Sequence, residues 1–223
     1  MKVLVIAAHP DDEMLGCGAT VATLIEKGHH VKSVILGQGI LSRGKKVSDL
    51  RLLQKHAMLA NHAIGIEETT FHNFPDNAFD RVTLHEIIKT VEKELELFPP
   101  DIIFTHFGSD LNIDHQRTFC AVLTACRPQP NAINPAVYSF FIPSSTDWND
   151  GYTMKPFIPN VFIDVSKTIQ KKLTALSHYK TEMRDYPHSR SLQSVKNFSE
   201  YWGNRVGLEY AEPFMQIRGF KIC

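Results

Sequence analysis

The sequence predicts an α/β fold: a Rossmann-like, doubly wound, mostly parallel sheet flanked by helices, with an elaborated C-terminal part. Three observations predict it. Short apolar runs of strand type at 3–8, 31–36 and 102–104 recur between longer stretches of helical periodicity. Strand, polar loop and helix follow one another in repeated order, as parallel strands joined by crossovers require. The 223 residues suffice for one sizeable core, so a single domain spanning 1–223 is expected.

The first strand, 3–8, stays extended through His9 because Pro10 excludes the α region for the residue before it. Residues 15–27 then read as a helix carrying apolar Ala19, Val21, Ala22, Leu24 and Ile25, stopped by Gly28. A buried strand, 31–36, follows. Next come a helix over about 47–63, a short strand near 69–73 and a helix over about 84–98 that halts at Pro99-Pro100. Residues 101–105 form another strand, leading through the polar loop 108–114 into a helix over about 115–126. From Arg127 the pattern breaks, and Pro128, Pro130, Asn131, Asn134 and Pro135 mark a loop. A strand near 137–141, the polar turn 143–148, a strand at about 160–165 and a helix over 166–179 come next. The tail then contributes His188, Arg190, the step 201–203 and the stretch 210–214.

Composition excludes several partners. Lys plus Arg equals Asp plus Glu at 24 each, so no basic field exists to grip nucleic acid or an anionic membrane, and a small, mostly neutral substrate is favoured. Cys17, Cys120, Cys126 and Cys223 show no Cys-x-x-Cys spacing and fit reduced thiols. The apolar start is too short for a signal-peptide core, and no stretch approaches a membrane span. A soluble, cytoplasmic protein is expected.

The chemistry concentrates in two clusters. His9-Pro10-Asp11-Asp12-Glu13 ends the first strand, and an imidazole with three carboxylates at such a place must be paired, hold a cation or do acid–base work. His9 and Asp12 can face one point with Asp11 beside them; the structural alternative is a strand-to-helix loop in which Asp11 or Asp12 caps the helix. The second cluster, 105–117, holds His106, Asp110, Asn112, Asp114 and His115. Ligands of open α/β sheets bind beyond the carboxyl ends of the strands, so both clusters belong on one edge. His106 taken alone is evenly balanced between a satisfied core residue and a ligand. His115 can complete a set, and two histidines with one carboxylate leave a position open on zinc, the pattern of a catalytic site. The strongest rival, a nucleotide-binding protein on such a sheet, is argued against by the first turn, which lacks the Gly-x-Gly-x-x-Gly that receives a pyrophosphate.

These residues resemble the PIG-L or LmbE-like family of zinc-dependent de-N-acetylases, whose fingerprints are an Ala-His-Pro-Asp-Asp-Glu start and a later His-x-Asp-His. The first motif is matched without a break at 8–13, and the tail segments 187–191 and 211–214 look like the family's C-terminal signature, so the resemblance covers most of the chain. It implies one zinc ion per chain on His9, Asp12 and His115, with Asp11 as general base. It also implies hydrolysis of the N-acetyl group of a GlcNAc-like sugar or conjugate, and a homo-oligomer. One position departs: many members have a histidine where this chain has Asn112, and an amide can hydrogen-bond an oxyanion but supplies no proton near neutral pH. A metal-binding, sugar-binding homologue with weak or no turnover is the alternative that Asn112 raises.

Asn112 or His188 is expected to hold the oxyanion, and Asp114 to orient an imidazole or cap the helix. Arg43, Asp76, Asn77, Trp148 and Arg190 are the candidates for substrate contact, offering polar partners for sugar hydroxyls and one flat ring. Gly16 and Gly18 either let a substrate approach the backbone or ease helix packing.

Overall fold

The computed structural model describes residues 1–40, 47–130 and 132–219. Strands β1 (Lys2–Ala7), β2 (His30–Gly37), β3 (Glu68–Phe74), β4 (Ile102–Thr105), β5 (Ala136–Phe140), β6 (Val161–Asp164) and β7 (Ala211–Arg218) form one seven-stranded sheet, ordered β3-β2-β1-β4-β5-β7-β6. The pairings from β3 through β5 are parallel; β7 runs antiparallel to both β5 and β6. Helices are α1 (Asp12–Glu26), α2 (Val47–Ala63), α3 (Leu84–Leu97), α4 (Ile113–Ala125), α5 (Ile169–Leu176) and α6 (Leu192–Asn204).

Both faces of β1 are buried, which is why its sequence is a continuous apolar run rather than an alternation. Val3 and Val5 join a core with residues of α1, α2, α5 and α6, while Leu4 and Ile6 join a second core with residues of α3 and α4. The chain moves from β1 outward through β2 to β3 and then returns to place β4 on the other side of β1. That reversal opens a crevice beyond the carboxyl ends of β1 and β4. His9 and His106 each lie two residues or fewer past those ends.

The expected α/β architecture is what the structure shows, with four differences. Helix α1 begins at Asp12 rather than residue 15, because Leu15 N–H already donates to Asp11 O at 2.8 Å and closes the first turn. Helix α5 is shorter than 166–179 because 165–168 form a turn that feeds it. Helix α6 and strand β7 lie in the tail, where the sequence shows no clear period. Ser191 starts α6 by accepting Ser194 N–H at 3.0 Å, a side-chain cap.

Helix α1 is broken at Cys17, whose φ of −147° is not helical. The break strands backbone groups on either side, and buried groups of that kind need partners. Glu212 on β7 accepts Ala19 N–H at 3.2 Å and Thr20 N–H at 2.7 Å. Lys172 on α5 donates to Leu15 O at 2.7 Å and pairs with Glu212 at 2.6 Å. Two distant elements thus mend one helix. Among the described residues, no helix is long and apolar enough to cross a membrane.

Candidate metal centre and the cleft beside it

Asp11 stands at the N-terminal boundary of α1 with φ +117°, a backbone region that favours glycine. Its side chain makes no cap hydrogen bond. The conformation is held instead by Glu13, whose Oε2 accepts Asp11 N–H at 3.0 Å. Glu13 is itself fixed by the Tyr179 hydroxyl, from the turn after α5, and by Asn61 Nδ2 of α2 at 3.3 Å, so distant parts of the chain secure a strained residue. Burial pushes the Glu13 carboxyl up to about 7 against the pull of Tyr179.

The Asp11 carboxylate points at Arg190, whose Nη1 donates to Oδ2 at 2.7 Å. Burial raises the Asp11 carboxyl well above its ordinary value even though the guanidinium opposes the shift. Arg190 is anchored in turn by Ser144, whose Oγ accepts its Nε–H at 2.7 Å.

Asp12, fully buried, faces the other way. Its Oδ2 accepts His9 N–H at 2.9 Å and lies 3.3 Å from both His9 Nδ1 and His115 Nε2. Among the described residues, its Oδ1 has no hydrogen-bond partner. A buried carboxylate oxygen left without a partner, beside one that faces two imidazoles, needs a proton or a cation.

Each imidazole has a carboxylate on its far nitrogen. His9 Nε2 is 2.8 Å from Asp114 Oδ2, and His115 Nδ1 is 3.1 Å from Asp110 Oδ1. Such partners fix the tautomer and aim the near nitrogen at a metal. Asp114 is locked by Phe79 N–H at 2.9 Å; Asp110 accepts the Ser145 hydroxyl, Thr146 Oγ1–H at 2.6 Å and Asn112 N–H at 2.8 Å. Burial disfavours charge on both imidazoles, yet their carboxylate neighbours raise His9 to about 10 and His115 to about 9. The same contacts hold Asp12 well below the carboxylate range and bring Asp110 to about 2, against the effect of burial.

One ligand atom each from His9, Asp12 and His115 lie within 4.8 Å of one another. His9, Asp76 and Asp114 make a second such group, but there the His9 nitrogen is already engaged by Asp114. Donor chemistry, the orphaned Asp12 oxygen and the carboxylate-backed imidazoles all fit a divalent cation at the first set.

His106 is a structural residue. It is completely buried, its Nε2 accepts Ala8 N–H at 2.8 Å, and its ring stacks on His115 with centroids 3.9 Å apart. Burial first, then the charge on His115, pushes it well below the usual imidazole value. Gly16 and Gly18 serve packing: a Cβ on Gly16 would fall 2.5 Å from the Phe140 ring, and one on Gly18 2.5 Å from Met14 Sδ.

Beside the triad runs a narrow polar cleft lined by His9, Asp11, Asp76, Asn77, Asn112, Glu182 and Arg190, with Pro10 and Gly39. Asn112 caps α4, its Oδ1 accepting Asp114 N–H at 2.8 Å, which turns its amide nitrogen toward Asn77 Oδ1 at 3.1 Å. His188 and Trp148 are brought to each other, and His188 to the backbone of Arg190, rather than to the triad. Arg43 lies outside the described residues. No role is read from the sequence for Glu13, Asp110, Ser145 or Thr146; their signals are the places of Glu13 and Asp110 in the two clusters and of Ser145 and Thr146 in the polar turn 143–148.

Residues 4–126 match the sequence profile of PIG-L, GlcNAc-PI de-N-acetylase. The chain belongs to the PIG-L family. An Escherichia coli relative named uncharacterized deacetylase YaiS is 28% identical over 187 residues, covering 80% of this chain and 90% of that protein. A Bacillus cereus protein named probable N-acetyl-alpha-D-glucosaminyl L-malate deacetylase 2 is 26% identical, covering 81% and 83%. Among solved structures, N,N'-diacetylchitobiose deacetylase from Pyrococcus horikoshii has a TM-score of 0.76 at 19% identity, covering 97% of this chain and 84% of that one. The 4-carboxy-2-hydroxymuconate hydratase GalB from Pseudomonas putida reaches 0.79 at 17% identity, covering 100% and 98%. The PIG-L fold therefore carries more than one reaction, and the site must decide between them.

Proposed function

We propose that the protein is a metal-dependent hydrolase that removes the acetyl group from an N-acetylated amino sugar or its conjugate, with zinc on His9, Asp12 and His115. The observation that carries the reading is the convergence of two carboxylate-backed imidazoles on Asp12 Oδ2, with the other Asp12 oxygen left without a partner and Asp11 adjacent and gripped by Arg190. The deacetylase names of the relatives support the acetyl group as the part removed. A bound zinc ion would supply a Lewis acid that makes water acidic enough, near pKa of about 7, to act as a nucleophile.

The chain's own residues do the rest. Asp11 takes a proton from the attacking water and returns it to the departing amine, the double duty a single positioned carboxylate can perform. Arg190 holds that carboxylate in place. Asn112, its carbonyl committed to α4 and one amide hydrogen to Asn77, presents the other amide hydrogen to the oxyanion that develops from the acetyl carbonyl oxygen. Asp114 and Asp110 keep His9 and His115 aimed. Asp76, Asn77 and Arg190 meet the sugar hydroxyls along the cleft. Free thiols at Cys17, Cys120 and Cys126 support a reducing compartment, the cytoplasm in this reading.

The test is mass spectrometry for loss of an acetyl group from N-acetylglucosamine, N,N'-diacetylchitobiose and an N-acetylglucosaminyl malate, with metal content measured alongside. The expected result is one metal per chain and acetyl loss from at least one sugar. Asp11→Asn should keep the metal and lose turnover by about 10²–10⁴-fold. A metal-loaded protein that leaves every N-acetyl group intact would overturn the reading.

A further inference from the structure

Trp148 is an oddity on this surface. Trp148 is 56% exposed, although side-chain hydrogen bonds tie the turn that carries it to the site. Ser145 and Thr146, just before it, bind the carboxylate that aims His115. Thr146 Oγ1 accepts Ile142 N–H at 2.9 Å, and Asp147 Oδ1 accepts Ser145 N–H at 3.1 Å. Ser144, at the start of the turn, accepts from the arginine that grips Asp11. The position of Trp148 is therefore set by the same residues that set the metal triad and the base.

A second residue completes the surface. The His188 ring stands edge-on to the indole with centroids 5.7 Å apart. Its Nδ1 accepts Arg190 N–H at 3.0 Å, which leaves the neutral ring with its hydrogen on Nε2 as a donor. An exposed aromatic face with a polar donor at its edge is how proteins receive the apolar face and hydroxyl rim of a pyranose. His188 is joined to the cleft by Arg190, whose backbone it accepts from and whose side chain lines the cleft and reaches Asp11.

We infer that Trp148 and His188 form a second sugar subsite, in which a hexose ring next to the N-acetylated one stacks on the indole and accepts a hydrogen bond from His188 Nε2. The inference rests on the sugar reading above and extends it to chain length: the substrate carries a second ring. A rigid platform is ready before the ligand arrives, so little ordering is lost when the ring docks.

The kinetic test compares N,N'-diacetylchitobiose with N-acetylglucosamine. Trp148→Ala should lower the preference for the disaccharide by about tenfold, through KM rather than kcat, the size of one aromatic contact. Trp148→Phe should restore most of it. An equal loss on both sugars, or none on either, overturns the subsite. A binding test does not depend on turnover. The chain has two tryptophans, and Trp202 is 9% exposed, so acrylamide quenching reports chiefly on Trp148. Saturating diacetylchitobiose should protect that fluorescence while N-acetylglucosamine at equal concentration should not; no protection by the disaccharide overturns the subsite. Protection without acetyl loss would leave the subsite standing and count against the hydrolase reading alone.

Discussion

Glu212 and Lys172 lie far from the triad in sequence and touch no substrate, yet replacing either should be among the costliest changes in the chain. Both side chains are nearly inaccessible, Lys172 3% and Glu212 1% exposed. Lys172→Met leaves Leu15 O without its donor and the Glu212 carboxylate with only two backbone N–H groups. Glu212→Gln leaves a buried ammonium facing a neutral amide. Removing one member of a buried pair costs about 3–5 kcal/mol. A chain of this length shifts its melting midpoint by about 2–4 °C per kcal/mol, so each single variant should melt about 6–20 °C lower. The double variant should be less destabilised than the sum of the singles by about 2 kcal/mol, because it leaves no unpaired charge. Urea unfolding of the four proteins in the cycle supplies the numbers. Single variants within about 1 kcal/mol of the parent, or strict additivity, would refute the claim that this pair mends the break at Cys17.

Three further outcomes follow from the site and its surroundings. Asp110→Asn should weaken metal binding by about 10–100-fold, read by competition with a chelator, because it removes the charge that aims His115; unchanged affinity would sink that role. Asn112→Asp should keep the α4 cap and lose the amide donor, so turnover falls by about 10²–10³-fold while the melting midpoint barely moves; near-parental turnover would refute the donor assignment. In a Cys223→Ser background, Cys120 alone should react quickly with a thiol reagent at pH 8. Burial pushes the Cys126 thiol up to about 11 and Cys17 higher than its usual value, and at pH 8 only about one Cys126 in a thousand is thiolate. Rapid modification of two or more thiols in the folded protein would contradict the burial of these two.

The parallel half of the sheet is legible in the sequence because β1, β4 and the second half of β2 are buried on both faces and run apolar, while buried Lys32 in β2 is paired with Glu94. The tail is not. Glu212 and Pro213 interrupt β7, and a proline argues against an interior strand, yet β7 sits between β5 and β6 with Pro213 paired to Phe162. The first motif is readable because its residues are consecutive and follow a strand. Two of the contacts that make it work, Asp114 on His9 and Arg190 on Asp11, join residues 105 and 179 positions apart and leave no local pattern, while Asp110 and His115 sit in one cluster whose pairing the sequence does not show. His106 shows the limit from the other side: only the Ala8 N–H bond and complete burial reveal it as a strand tie.

The placement of β7 also governs the order in which the molecule can be assembled. β7 follows every other described strand in the chain, yet it occupies an interior position, and β6 has no other partner in the sheet. During synthesis, β6 waits as an unpaired edge until residues 211–218 emerge, and α1 waits with its break unrepaired until Glu212 arrives. The break in α1, just after residues 9–13, thus gains its Glu212 partner only once β7 has been made. A nascent chain cut before residue 211 should form the parallel half of the sheet and still fail to hold the cation.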